Sequence, residues 1–215
     1  MGAAHREGRF QVEVAFGRYP NLAVQDTSLS ISVDGAQHSF HGSRRAPGDP
    51  SDMSVGPLRL EIVEPFRQLR VVLDDNDTGI AADLRWRART GALLEDHTVM
   101  QDGIHVMVDM SRFVQFGTWE GTVTVDGTTH ELRHDEVIGV RDRSWGVRPV
   151  GASAPGKPSS APPRAWLWAP THFDDGCVVA GWFQVPGGEF WRPDGHRIAV
   201  TEPTPETVSL HDDAV

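Results

Sequence analysis

Residues 139–149 read GVRDRSWGVRP and bring one carboxylate, three arginines, a serine and a tryptophan into a single short run. On a strand, side chains alternate between faces, so Asp142 and Ser144 share one side and Arg141, Arg143 and Trp145 the other. A carboxyl turned into an apolar interior is expensive to ionise, and it stays protonated near neutrality, as a general acid must. A guanidinium within a few ångströms does the opposite: it keeps the carboxylate charged and turns it into an anchor. The residues alone therefore support two roles for Asp142, a proton donor or one member of a charged knot with Arg141, Arg143, Ser144, Gly146 and Arg148 as its structural frame.

Other constellations carry less chemistry. His130 and His134 are four apart, but on an extended strand that spacing separates them by about 13 Å, so no metal site is expected. The run DDNDTG has neither the ligand spacing nor the closing glutamate of a calcium loop and reads as a hairpin turn. Ser144 lacks the glycine-flanked elbow of a serine hydrolase. Cys177, the single cysteine, forms no internal disulfide and reads as a small buried apolar residue beside Val178 and Val179. His172 precedes Asp174 and Asp175 in a polar turn from which it can reach the mouth of a cavity. Six of the seven tryptophans lie between Trp119 and Trp191. Trp166 and Trp168 share a strand face, and together with Trp145 and Trp182 they either fill a core or line an aromatic pocket.

The elements that position these residues are strands. Apolar residues alternate with polar ones in short runs, as in Leu29, Ile31 and Val33 or Leu58, Leu60 and Ile62. Asp34-Gly35 and Asp126-Gly127 are hairpin dipeptides. The segment around each reads alike, VDGAQHSF at 33–40 and VDGTTHEL at 125–132, a faint sign of two similar sheets. A further hairpin is expected in GEFWRPDGHRIAV. Residues 151–163, GASAPGKPSSAPP, read as a flexible loop, and 201–215 as a frayed tail.

Bulk properties narrow the partners. A chain of 215 residues with 39% apolar residues holds a real core, and a net charge of -10 repels phosphate backbones, so nucleic acid is not an expected partner. No apolar run approaches the length of a membrane-spanning helix, and no apolar leader opens the chain; a cytoplasmic location is expected.

The runs EPFRQLRVVLDDNDTGIAADLRW, GTVTVDG, GVRDRSWGVRP and AWLWAPTHFDDG occur in an order that resembles the hydroxyneurosporene synthase-like proteins, also called carotenoid hydratase-like or AttH-like, and more closely their actinobacterial relatives of unassigned activity. The similarity extends over roughly residues 55–185, and Arg-Asp-x-Ser-Trp-Gly is its most specific element. The resemblance implies an all-β, antiparallel fold: a tandem pair of lipocalin-like barrels, here incomplete, with a first domain over 1–95 and a second over 96–200. It also implies an apolar small-molecule ligand of isoprenoid or polyene type and cofactor-free acid chemistry, hydration or cyclisation of an alkene, with Asp142 as donor and Trp145 stabilising positive charge. Two residues depart from the pattern. Arg143 stands where relatives commonly carry His, and Arg141 where the hydratases carry Tyr. Three readings follow: an enzyme, a ligand carrier, and a remnant whose open sheet edge pairs in a homodimer or with a partner.

Overall fold

Period-two burial organises the strands. In β2 (Phe10–Tyr19), Phe10, Val12 and Val14 are buried while Gln11, Glu13 and Ala15 are exposed. In β8 (Ile80–Ala88), Ile80, Ala82, Leu84, Trp86 and Ala88 are all buried, each separated from the next by a more accessible residue. The computed structural model describes residues 1–148, 165–184, 188, 190–200 and 208–210, and the only helical element among them is one 3-10 turn at Pro20–Leu22. The fold is antiparallel β throughout, apart from one short parallel pairing.

The chain forms two units, and they are not the consecutive halves expected with a cut near residue 95. The first comprises Met1–Arg89 and Phe116–Arg141, and the second Thr90–Gln115 and the described residues from Asp142 onward. The interleaving has a simple origin: β11 (His105–Val125) is 21 residues long and β13 (Val137–Val147) is 11, and each strand gives residues to both units.

In the first unit the other strands are β1 (Gly2–His5), β3 (Val24–Val33), β4 (Ala36–Arg45), β5 (Ser54–Val55), β6 (Leu58–Glu64), β7 (Gln68–Leu73) and β12 (Thr128–Leu132). They hydrogen-bond in the order β4-β3-β2-β1-β13-β11-β8-β7-β6-β5, with β12 added to β11. Both Asp-Gly turns form as expected. Asp34 and Gly35 have φ of 51° and 76°, Asp126 and Gly127 46° and 80°, the paired left-handed conformation of a two-residue hairpin. A side chain links β3 to the far end of this order: buried Gln25 donates from Nε2 to the carbonyls of Asp52 (3.0 Å) and, in β5, Ser54 (2.9 Å). Leu29, Ile31, Leu58, Val71, Leu84, Trp86, Trp119 and Val123 fill the concave side. Each such fully buried side chain contributes about 1.5–3 kcal/mol.

In the second unit, β9 (Ala92–Leu94) and β10 (Thr98–Asp102) pair with the early part of β11, and β17 (Val208–Leu210) runs parallel to β9. A separate sheet has the order β14-β15-β16, from β14 (Ala165–His172), β15 (Gly176–Gln184) and β16 (Phe190–Ala199). The hairpin expected within GEFWRPDGHRIAV is not formed at its Asp194-Gly195 dipeptide. Gly195 pairs with Ala180 and Asp194 with Gly181, so the dipeptide stays inside one strand, held by a ladder that β15 supplies along its length. The expected loop at 151–163 and most of the tail at 201–215 lie outside the described residues.

Candidate functional site

Strand β13 decides the geometry of the arginine-rich motif. Val137, Gly139 and Arg141 are buried in alternation, so Arg141 continues the inward series and Asp142 turns outward. Arg141 is 9% exposed, and its guanidinium carbon lies 5.2 Å from the centre of the Trp86 ring and 6.0 Å from that of Phe66. The contact is cation–π, worth most where water is excluded. Asp142 is exposed, and among the described residues it makes no ion pair with either flanking arginine. The burial that keeps a carboxyl protonated and the guanidinium partner that makes it an anchor are therefore both missing at Asp142. The knot is made by Arg141 and two aromatic rings.

The rest of the motif belongs to the second unit. Arg143 is exposed. Arg148 donates to Ser144 Oγ at 2.8 Å, an exposed bond that ties the strand end locally. Trp145 is half exposed and packs at 6.3 Å, tilted by 57°, against Phe113. Gly146 has φ of +123°, and a Cβ there would press on the Asp109 carbonyl, so only glycine fits.

A second group of candidates converges on the β14-β15-β16 sheet. Residues opposite one another in an antiparallel ladder share a face. His172, Cys177 and Ile198 form one row, Pro170, Val179 and His196 the next row on that face, and Trp168 with Gly181 the row beyond. Cys177 is fully buried, and Val179, His196 and Ile198 are 5%, 6% and 7% exposed. His172 Nδ1 lies 3.8 Å from Cys177 Sγ. Adjacent strands lie about 4.8 Å apart and same-face rows about 6.8 Å, which puts the His196 backbone about 12 Å from both His172 and Trp168. Side chains of that length can meet around one small molecule. The indole Nε1 of Trp168 is buried and has no hydrogen-bond partner among the described residues, so this face carries a donor that none of them satisfies.

Trp166 and Trp168 share a face of β14 by register, and His172, expected in a polar turn, is the last residue of that strand and lies on the same face. Trp182 is opposite Leu167 and belongs to the other face. Trp166 is 58% exposed at the open end of its strand. His196 was not singled out by the sequence, because reading GEFWRPDGHRIAV as a hairpin hid the parity that aligns it with Val179. Two imidazoles near a buried indole donor can hold a polar group and offer ring nitrogens for proton transfer. Among the described residues no cluster of His, Cys, Asp and Glu is arranged to hold a metal ion, and no helix is long and apolar enough to cross a membrane.

Comparison with known proteins adds the fold. The sequence matches, over residues 2–213, a family described as a family of unknown function (DUF8625). No curated protein matches. Among solved structures, kievitone hydratase from Nectria haematococca superposes with a TM-score of 0.61 at 16% sequence identity, covering 91% of this chain and 59% of the hydratase. The likeness is one of fold, an all-β architecture, and this chain spans about three-fifths of the hydratase's length. None of these comparisons names the hydroxyneurosporene synthase-like proteins.

Proposed function

Because the chain belongs to the DUF8625 family of unknown function, its activity has to be read from its own side chains, and we propose that it binds a small, largely apolar molecule with one polar end on the inner face of the β14-β15-β16 sheet. The buried Trp168 Nε1, which has no hydrogen-bond partner among the described residues, carries this reading. A buried donor left unpaired costs about 1–3 kcal/mol, which a ligand oxygen would recover. Val179 and Ile198 supply the apolar surface, and His172 and His196 the groups that can gain or lose a proton.

The hydratase-like fold supports a reaction of the same class, addition of water across an alkene of an isoprenoid or polyene. One histidine, as imidazolium, protonates one alkene carbon. The other, neutral, takes a proton from the water whose oxygen bonds to the second carbon, so the pair exchanges one proton per turnover and no cofactor enters. Asp142 remains the second candidate acid, and its exposure favours the alternative of a carrier without turnover. The test uses β-ionone and farnesol as probes, with binding followed by tryptophan fluorescence and hydration products by mass spectrometry. Saturable binding is expected, weakened about 2- to 12-fold in Trp168→Phe by loss of one hydrogen bond. If a hydration product forms, it should vanish in His196→Gln or His172→Gln. Its loss in Asp142→Asn alone would move the acid to β13. Binding that is absent, or unchanged by Trp168→Phe, removes this face as the site.

A further inference from the structure

The two VDG repeats meet in space. His38 of the first copy lies 3.9 Å from Asp126, the turn aspartate of the second, and His130 of the second copy lines a groove with Asp34, the turn aspartate of the first. That groove, wholly within the first unit, has a volume of about 550 Å³, within the size range of small-molecule sites. Its aromatic wall is Phe10 and His130, with ring centres 6.1 Å apart.

The charge facing the groove is mostly compensated, with one exception. Arg9 is held between Glu7 at 3.6 Å and Glu136 at 3.7 Å, and Arg133 pairs with Glu131 at 3.1 Å. Asp34 has no ion-pair or hydrogen-bond partner among the described residues, so the uncompensated charge is negative. Behind the wall stands His5, its side chain 2% exposed. Its Nδ1 accepts the Glu7 backbone N–H at 3.1 Å, which leaves Nε2 as the ring's donor. That nitrogen has no hydrogen-bond partner among the described residues and lies 3.8 Å from Oε2 of the groove-lining Glu136. A buried donor is thus aimed at Glu136 from inside the protein, and on the groove side the Phe10 ring offers a π face that attracts cations.

We propose that this groove is a binding site for a small aromatic amine in its protonated form, its ammonium against Asp34 and its ring against Phe10 and His130. The site is independent of the β14-β15-β16 face. The test titrates the full-length protein with phenethylamine and, as a shape control of opposite charge, 3-phenylpropionate, following both by calorimetry and amide NMR shifts. Phenethylamine is expected to bind saturably, with shifts at Asp34 and His130 and weaker binding at high salt. Asp34→Asn keeps the turn, since Asn-Gly favours the same left-handed geometry, and should weaken binding about two- to fivefold, the range of an exposed ion pair. Phe10→Leu should weaken it further, and Trp168→Phe should leave it unchanged. Equal binding of 3-phenylpropionate, or an Asp34→Asn protein with the wild-type Kd, overturns the proposal.

Discussion

Replacing Arg141 tests whether the arginine-rich motif is held by a cation–π knot. The guanidinium lies 5.2 Å from the Trp86 ring centre and 6.0 Å from that of Phe66, at 9% exposure. A desolvated contact with tryptophan contributes about 2 kcal/mol, and one at the outer limit of the range about 0.5 kcal/mol. Arg141→Met keeps most of the stem and removes the charge. The relief of the buried charge's desolvation offsets part of the loss, leaving a net cost of about 1–2 kcal/mol. Arg141→Ala also removes the stem that packs on the rings and leaves a cavity, for a total of about 3–4 kcal/mol. In urea unfolding, with a slope of about 2 kcal/mol per molar, the midpoint should fall by about 0.5–1 M for Arg141→Met and about 1.5–2 M for Arg141→Ala. Asp142→Asn, at an exposed position, should stay within about 0.25 M of wild type. An Arg141→Met midpoint equal to wild type, or a larger shift from Asp142→Asn than from Arg141→Met, would refute the cation–π reading.

Further expectations concern packing and pH. In Gly139→Ala the new Cβ would meet the Trp119 indole and sit 2.8 Å from the Gly2 carbonyl, which accepts the Trp119 N–H at 3.0 Å. Overpacking of this kind costs about 2–3 kcal/mol and should lower Tm by roughly 5–10 °C; a melt within 2 °C of wild type contradicts it. Gly146→Ala forces a side chain onto φ of +123° against the Asp109 carbonyl, and should accelerate amide exchange in the second unit before the first. The Arg70 guanidinium, bonded twice to Asp83 at 2.8 Å, holds that carboxyl below its ordinary range. A depressed folded pKa means stability present above the unfolded value, about 3.9, and lost as pH falls through the folded one. The urea midpoint of wild type should therefore drop between pH 4 and pH 2 more steeply than that of Asp83→Asn, and parallel curves would exclude the pair as the source.

Much of this architecture was written in local patterns. Alternation alone marks β2, β3 and β8, because a strand with one buried face repeats every two residues. The Asp34-Gly35 and Asp126-Gly127 turns follow from backbone chemistry that only a few dipeptides satisfy. Parity within β13 already separates Arg141 from Asp142. The sequence also puts Trp166 and Trp168 on one face of β14, since that requires only a common strand; His172, read as a turn residue, joins them because β14 extends to it.

What the sequence could not determine is which face looks inward and which strands lie side by side. Arg141 is buried because β13 runs between β1 and β11, with the wall that carries Trp86 closing over its side chain, and that depends on pairings far apart in the chain. Asp194-Gly195, identical to two true turns, remains extended because β15 offers its backbone partners on the spot. His196 thereby joins the face of Trp168 and His172, and Asp34 comes to share a groove with His130, nearly a hundred residues away. Local chemistry sets periods and turns; long-range hydrogen bonding chooses among the registers those periods allow.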